Sequence, residues 1–209
     1  MQSDTIVIEV GAEKKKYTLH KEVLLHYPGY FRGALSGRFK ETDDGIIALW
    51  DVDFDAFDVF VDFIYDKKLP DCVYAPWPLN APIVSVKIRA YTLAERLIVP
   101  SLKHALTDMI FQSYRSLKAW PMSSVIIHLF ANLPETDPML QFMVDSFCVH
   151  DGVGRMNARS IEMADQFPQD FLVRMLLKLN KLSKSTTNDN NLKREDYDVR
   201  EYGNETLRN

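Results

Sequence analysis

Cysteine is scarce. The 209 residues contain two, Cys72 and Cys148, 76 positions apart and without a pairing pattern, so a reducing compartment suits the chain better than a disulfide-built scaffold. Long apolar runs are missing as well. The longest is Ile46 to Trp50, five residues, where a membrane-spanning helix needs about 20. No membrane partner is expected. The start, Met1-Gln2-Ser3-Asp4, lacks the basic stretch followed by an apolar one that marks a secretory signal, and cytoplasmic or nuclear residence is expected. A charge of one sign is lacking too: 25 basic and 29 acidic residues leave a formal net charge of −4. Without a basic run of the kind that tracks phosphates, direct nucleic-acid binding is not expected.

Constellations that carry chemistry are equally sparse. His20, His26, His104, His128 and His150 show no short metal-ligand spacing, and neither cysteine has a second one within four residues. Cys148 with His150 and Asp151 invites a nucleophile reading, but catalytic pairs meet through the fold rather than as sequence neighbours. Cys148 is read as the end of a helix face. Gly152-Val153-Gly154 lacks the third glycine and the preceding strand of a dinucleotide site. The Asn204-Glu205-Thr206 acceptor triplet, without a secretory signal, is read as chance. No catalytic residue, metal, cofactor or small-molecule substrate is expected, and the chain is not read as an enzyme.

What is present is a clear change of period along the chain. Ile6, Ile8 and Val10 alternate with Thr5, Val7 and Glu9, Gly11-Ala12-Glu13 turns the chain, and Tyr17 and Leu19 continue the alternation, which predicts a hairpin. Helical spacing follows from Lys21 to Leu35, split by Pro28-Gly29 into two short helices. Ile46 to Trp50 is read as a buried strand. Phe57, Phe60, Val61 and Ile64 then mark a helix between Asp51 and Tyr65, with Asp53, Asp55 and Asp58 where its dipole favours anions. Pro70, Pro76, Pro78 and Pro82 make an irregular connection. Helices are predicted over Val84 to Leu97, carrying Ile88, Tyr91, Leu93 and Ala94, and from Pro100 onward, carrying Leu102, Leu106 and Ile110.

Three more helices are expected, over Pro121 to Ala131, Pro138 to Cys148 and Pro168 to Leu182, with prolines at first helical turns. Their apolar faces, including Phe171, Leu172, Met175, Leu176 and Leu179, must be covered, and the preceding helical part is the expected surface. From Ser183 to Asn209 only five of 27 residues are apolar against 11 charged, which is too few to offset the entropy of ordering. A disordered tail is expected there.

Several blocks in this order resemble the BTB/POZ domain. Leu19-His20-Lys21-Glu22-Val23-Leu24 is similar to the family's block of a hydrophobic residue, His and a basic residue. Pro28-Gly29-Tyr30-Phe31-Arg32-Gly33-Ala34-Leu35-Ser36-Gly37-Arg38-Phe39-Lys40-Glu41 is similar to its Tyr-Phe block. Leu49-Trp50-Asp51-Val52-Asp53 resembles its Leu-x-Asp-Val-Asp segment, Phe63-Ile64-Tyr65 its Phe-Leu-Tyr, and Ala94 to Leu102 its closing helix junction. The resemblance implies an α+β fold, a small mainly three-stranded sheet covered by short helices, followed by an all-helical extension and a disordered tail. The expected boundaries are 3–112 for the BTB/POZ domain, 113–182 for the extension and 183–209 for the tail. The blocks at Asp137 to Asp145 and Pro168 to Leu172 look like the extension found in filamentous-fungal BTB proteins.

The resemblance also implies protein partners, without catalysis. In cullin-adaptor members an aromatic and a Glu in the connection after the second short helix bind the cullin-type scaffold of a ubiquitin ligase, and Phe39 and Glu41 match those positions. An exposed aromatic suits a hot spot, whereas the bland reading has Phe39 folded under the helix pair and Glu41 solvated. Asp4 and Lys21 match the family's charged-pocket pair. The preferred reading there is an ordinary ion pair fixing the first helix to the sheet. The alternative function is a self-associating scaffold or transcriptional co-regulator that dimerises through its BTB domain. Strand-exchanged dimers carry a further helix and strand before the position of Asp4, which three residues do not supply, so that exchanged form is not expected.

Overall fold

The computed structural model describes residues 4–27, 29–35, 46–69, 85–117, 121–151, 164–184 and 192–197. Strands β1 (Thr5–Val10) and β2 (Lys15–His20) form the predicted antiparallel hairpin, with Ile6 opposite Leu19 and Ile8 opposite Tyr17. Ile6, Ile8 and Val10 are buried, as the period of two requires. The turn uses the left-handed region twice, at Gly11 (φ 74°) and at Lys14 (φ 54°), the first a conformation glycine adopts without steric cost. Strand β3 (Ile46–Leu49) lies parallel to β1 on its other side, giving the order β2-β1-β3. A parallel neighbour demands a crossover, and helices α1 (Lys21–His26) and α2 (Tyr30–Leu35) lie in it.

The buried-strand reading of Ile46 to Trp50 needs correction. Pairing stops at Leu49, burial alternates along β3, and Trp50 is 57% exposed. The cause is local: the Val52 N–H donates to the Leu49 carbonyl at 3.2 Å and turns the chain out of the sheet before Trp50 can extend it. Helix α3 (Phe54–Asp66) begins where Asp53 accepts from the Ala56 N–H at 3.0 Å, and ends where Lys67 enters the left-handed region. It buries Phe57, Phe60, Phe63 and Ile64. Helices α4 (Val86–Arg96) and α5 (Pro100–Leu117) follow as predicted. The residues up to Leu106 make one compact unit. Its core brings Ile8, Leu24, Ile47, Phe57, Ile88 and Tyr91 together with a stacked pair, Phe31 and Phe60, 5.7 Å apart.

From Thr107 onward the described residues make a second compact unit. It contains the end of α5, then α6 (Ser123–Asn132), α7 (Pro138–Asp151), a single 3-10 turn at Ala164–Gln166, and α8 (Gln169–Lys184). Its core gathers Ile126, Val144, Phe147, Cys148, Phe167, Phe171 and Met175. Phe171 meets Phe147 edge-on at 5.4 Å and Phe167 at 5.0 Å. On α8 one predicted core residue is displaced: Leu176 is 62% exposed, beside exposed Val173 and Leu177, while Leu172 and Leu179 pack at the edge of the core.

The expected disordered tail is also corrected in part. Helix α8 runs on to Lys184, and Arg194–Tyr197 forms a 3-10 turn with Tyr197 only 4% exposed. The fold is α+β, a three-stranded mixed sheet with helices followed by an all-helical part. Among the described residues no helix is long and apolar enough to cross a membrane, and no group of three or more His, Cys, Asp or Glu side chains could hold a metal ion.

Candidate protein-interaction surface

The α1–α2 pair is seated on the first unit by contacts from several directions. At its start, the Lys21 N–H donates to the Asp4 carbonyl at 2.9 Å. The His20 N–H donates to the Tyr65 hydroxyl at 3.0 Å, which leaves the Tyr65 hydrogen free to donate to His20 Nδ1 at 2.9 Å. Leu24 anchors α1 in the core. At its end, the Lys67 ammonium donates to the Tyr27 hydroxyl and lies 4.2 Å from the ring centroid.

Gly29 fixes the entry to α2. A Cβ at this position would stand 2.2 Å from the Leu97 carbonyl oxygen and 2.7 Å from that of Ile98. Both are backbone atoms, so no side-chain rearrangement relieves the clash. The neighbouring Tyr30 N–H donates to the same Leu97 carbonyl at 3.1 Å. Only glycine lets the two backbones approach so closely. Helix α2 therefore has one seat, with Phe31 and Ala34 turned into the core.

Phe39 and Glu41 lie outside the described residues, in the connection from Leu35 to Ile46. Asp4 and Lys21 are brought together: Lys21 Nζ donates to Asp4 Oδ2 at 3.0 Å. The Asp4 side chain is 75% exposed, where such a pair contributes about 0 to 1 kcal/mol. Beside the main-chain bond between the same two residues, it ties the entry of β1 to the first turn of α1. Cys148, read from the sequence as the end of a helix face, sits in the core of the helical unit.

Elsewhere the surface of the first unit is laced with ion pairs. Arg96 binds both oxygens of Asp51, at 2.6 and 3.0 Å, and these bonds hold the Asp51 carboxyl below its ordinary range. Lys15 binds Asp58 at 2.9 Å, and the Tyr17 hydroxyl donates to the same carboxylate at 2.7 Å. Burial, with this bond, pushes the Tyr17 phenol up to about 12. Asp62 on α3 is raised by burial and by the neighbouring charges of Asp58 and Asp66, and Lys87 is lowered by burial.

Exposed apolar side chains interrupt this charged surface. Leu25 on α1 and Ile98 beside Gly29 are two; Trp50 and Phe54 are another two. The Lys14 ammonium lies 5.4 Å from the Trp50 ring and that of Lys15 5.4 Å from Phe54, within the range of cation–π attraction. Sequence reasoning missed this second group because it placed Trp50 in the core. The signal was available in the strand pairing, since a turn that follows Val10 must lie beside whatever follows Leu49. It also missed Arg194 and Tyr197, because a lone aromatic in a polar stretch has no periodic neighbour to mark it.

The surface of the first unit thus sets exposed apolar side chains among ion pairs. The family model described as BTB/POZ domain matches residues 2–114, more than half of the chain. No curated protein was found to match it. Domains of this family are in general protein-interaction modules rather than enzymes. The hairpin, the crossover through two short helices, the parallel third strand and the matched blocks agree, and the protein belongs to the BTB/POZ domain family.

Proposed function

We propose that this protein is a non-enzymatic adaptor that presents a client to a cullin-type ubiquitin-ligase scaffold. The observation that supports the reading is the sequence Phe39-Lys40-Glu41 in the connection between α2 and β3, both flanks of which are firmly seated, α2 by Gly29 and Phe31 and β3 by Ile47 and Leu49. Phe39 would supply the buried anchor and Glu41 a polar contact at the rim. In this reading residues 3–112 form the docking domain, the filamentous-fungal type of extension over 113–182 or the Pro-rich stretch holds the client, and the protein works in the cytoplasm or nucleus. Isothermal titration against a cullin N-terminal domain tests it. Wild type is expected to bind and Phe39→Ala to lose at least tenfold in affinity; equal absence of heat from both removes the adaptor.

A second reading, a scaffold or transcriptional co-regulator that self-associates through Lys21 to Leu35, is favoured by exposed Leu25 on α1 and exposed Ile98 next to the α2 entry. Sedimentation velocity at micromolar concentration separates the two readings. A clean monomer eliminates the scaffold.

A further inference from the structure

The helical unit carries a built contact that the BTB/POZ family reading does not use. Arg194–Tyr197 is one short turn, closed by its own bonds: the Asp196 N–H donates to the Lys193 carbonyl at 3.2 Å and Arg194 Nη1 to the Tyr197 carbonyl at 3.2 Å. Side chains join it to the helices. Tyr197 is inserted against Phe142 on α7, edge-on at 5.1 Å, and against Phe111 on α5 at 6.3 Å. Its hydroxyl donates to Asp145 Oδ2 at 2.7 Å, and Arg194 Nε donates to Asp108 Oδ1 at 2.7 Å.

The receiving surface is prepared for this turn. Asp145 is 6% exposed, and a buried carboxylate is costly unless its oxygens are occupied. Lys178 of α8 and Gln141 of α7 both bind Oδ1, each at 3.0 Å. Oδ2 is thereby aimed at the Tyr197 hydroxyl. Burial and this bond hold the Tyr197 phenol in its protonated, donating form well above its ordinary range. Asp108 provides a second anion, beyond the aromatic floor, where a guanidinium fits.

We propose that the groove formed by Asp108, Phe111, Phe142 and Asp145 is a recognition site for a peptide of the form Arg-x-x-Tyr, and that its resident occupant is the chain's own Arg194–Tyr197, bound in cis. The occupant resembles a ligand in composition. It lies in a segment with five apolar residues in 27, and one of them, Tyr197, is the buried anchor, the distribution expected of a hot spot. Nine residues separate Lys184 from Arg194, so the tether sets a local concentration of the order of millimolar. A segment with an intrinsic dissociation constant about a tenth of that is closed most of the time and still opens. An Arg-x-x-Tyr segment of another protein would have to compete with it.

The test uses the full chain and a labelled peptide of residues 191–200, Asn-Leu-Lys-Arg-Glu-Asp-Tyr-Asp-Val-Arg. Titrations followed by fluorescence anisotropy compare wild type with the double variant Arg194→Ala/Tyr197→Ala. The emptied variant is expected to bind the peptide at least tenfold tighter than wild type, and a peptide carrying Tyr197→Ala is expected not to bind. Adding Asp145→Ala to the double variant is expected to abolish binding. Equal affinity for wild type and the emptied variant overturns the proposal, as does no binding to an emptied variant that keeps its helical circular dichroism. Loss of that signal in the emptied variant also overturns it, because the turn is then core and not occupant. A wild-type dimer that the peptide dissociates would place the turn in a second copy and overturn the cis assignment.

Discussion

Among the described residues the two units of this chain bury charges of opposite sign, lysines in the first and aspartates in the second. In the sheet-containing unit the pairs Lys15–Asp58, Arg96–Asp51 and Lys21–Asp4 lie on the surface, each partner keeping a third or more of its side chain in solvent. The buried charges there are the cations Lys87 and Lys103, the latter paired with Glu95. Cohesion there comes from the strand ladder, the aromatic pair of Phe31 and Phe60, and one backbone-on-backbone approach at Gly29. Among the described residues of the helical unit there is no ladder, and a carboxylate lies inside. Asp145 is buried under Lys178, Gln141 and Tyr197. The difference teaches where each unit is vulnerable. The first is sensitive to backbone geometry and tolerant of charge removal at its exposed pairs, whereas the second is sensitive to the loss of a ring or of a charge partner.

Core truncation in the helical unit breaks the comparison most severely. Phe171, fully buried among Phe130, Phe147 and Phe167, leaves a large cavity when cut back, and Phe171→Ala is expected to cost about 3 to 5 kcal/mol. Urea melts followed by circular dichroism measure it; a loss below about 1 kcal/mol would mean that the aromatic cluster is not the cohesive element.

Two glycines of the first unit give the next effect, with opposite signs. Gly29→Ala drives a Cβ into two carbonyl oxygens and is expected to cost about 1 to 3 kcal/mol. Gly33, four residues on and inside α2, has nothing within 4 Å of its would-be Cβ. Gly33→Ala is expected to add about 0.5 to 1 kcal/mol through helix propensity. Differential scanning calorimetry should show melting points moving in opposite directions.

The smallest effect is one of pH and concerns the surface of the first unit. The Tyr17 phenol is raised in the folded protein to about 12 from an ordinary value of 10.0, chiefly by burial. A group raised on folding contributes stability that is complete below its unfolded value and is lost as pH rises through the folded one. Stability should therefore fall between pH 10 and about 12. Tyr17→Phe should flatten that part of the profile, by less than about 1 kcal/mol given its partial exposure. Ultraviolet difference titration of the two proteins checks whether the variant lacks one phenol that titrates between pH 10 and about 12.

Much of this architecture is legible from local pattern. Ile6, Ile8 and Val10 announce β1 because alternation has one structural meaning, and Pro100 and Pro138 open helices because proline lacks the N–H that a first turn leaves unused. Errors arise where a decision is tertiary. Trp50 extends an apolar run, yet a single hydrogen bond from Val52 ends the strand before it. Leu176 fits the stripe of α8 as well as Leu172 does, and only the width of the surface beneath decides which is covered. Tyr197 is invisible in a segment whose average composition predicts disorder, because one aromatic with one buried acceptor is enough to dock a turn. Of the site residues, Asp4 and Lys21 lie within hydrogen-bond distance of each other, and Phe39 and Glu41 fall outside the described residues.

The seat of Gly29 also orders events in time. The carbonyls it rests against belong to Leu97 and Ile98, nearly 70 positions later in the chain, and β1 must wait for β3, more than 35 positions on, before its second edge is paired. A chain emerging from the ribosome at about 5 to 20 residues per second can close the β1–β2 hairpin at once. It cannot seat α2 until α4 has been made. For several seconds of synthesis the edge of β1 and the apolar side of α2 are without their final neighbours, a long-range dependence that slows folding and leaves a newborn strand edge open to mispairing.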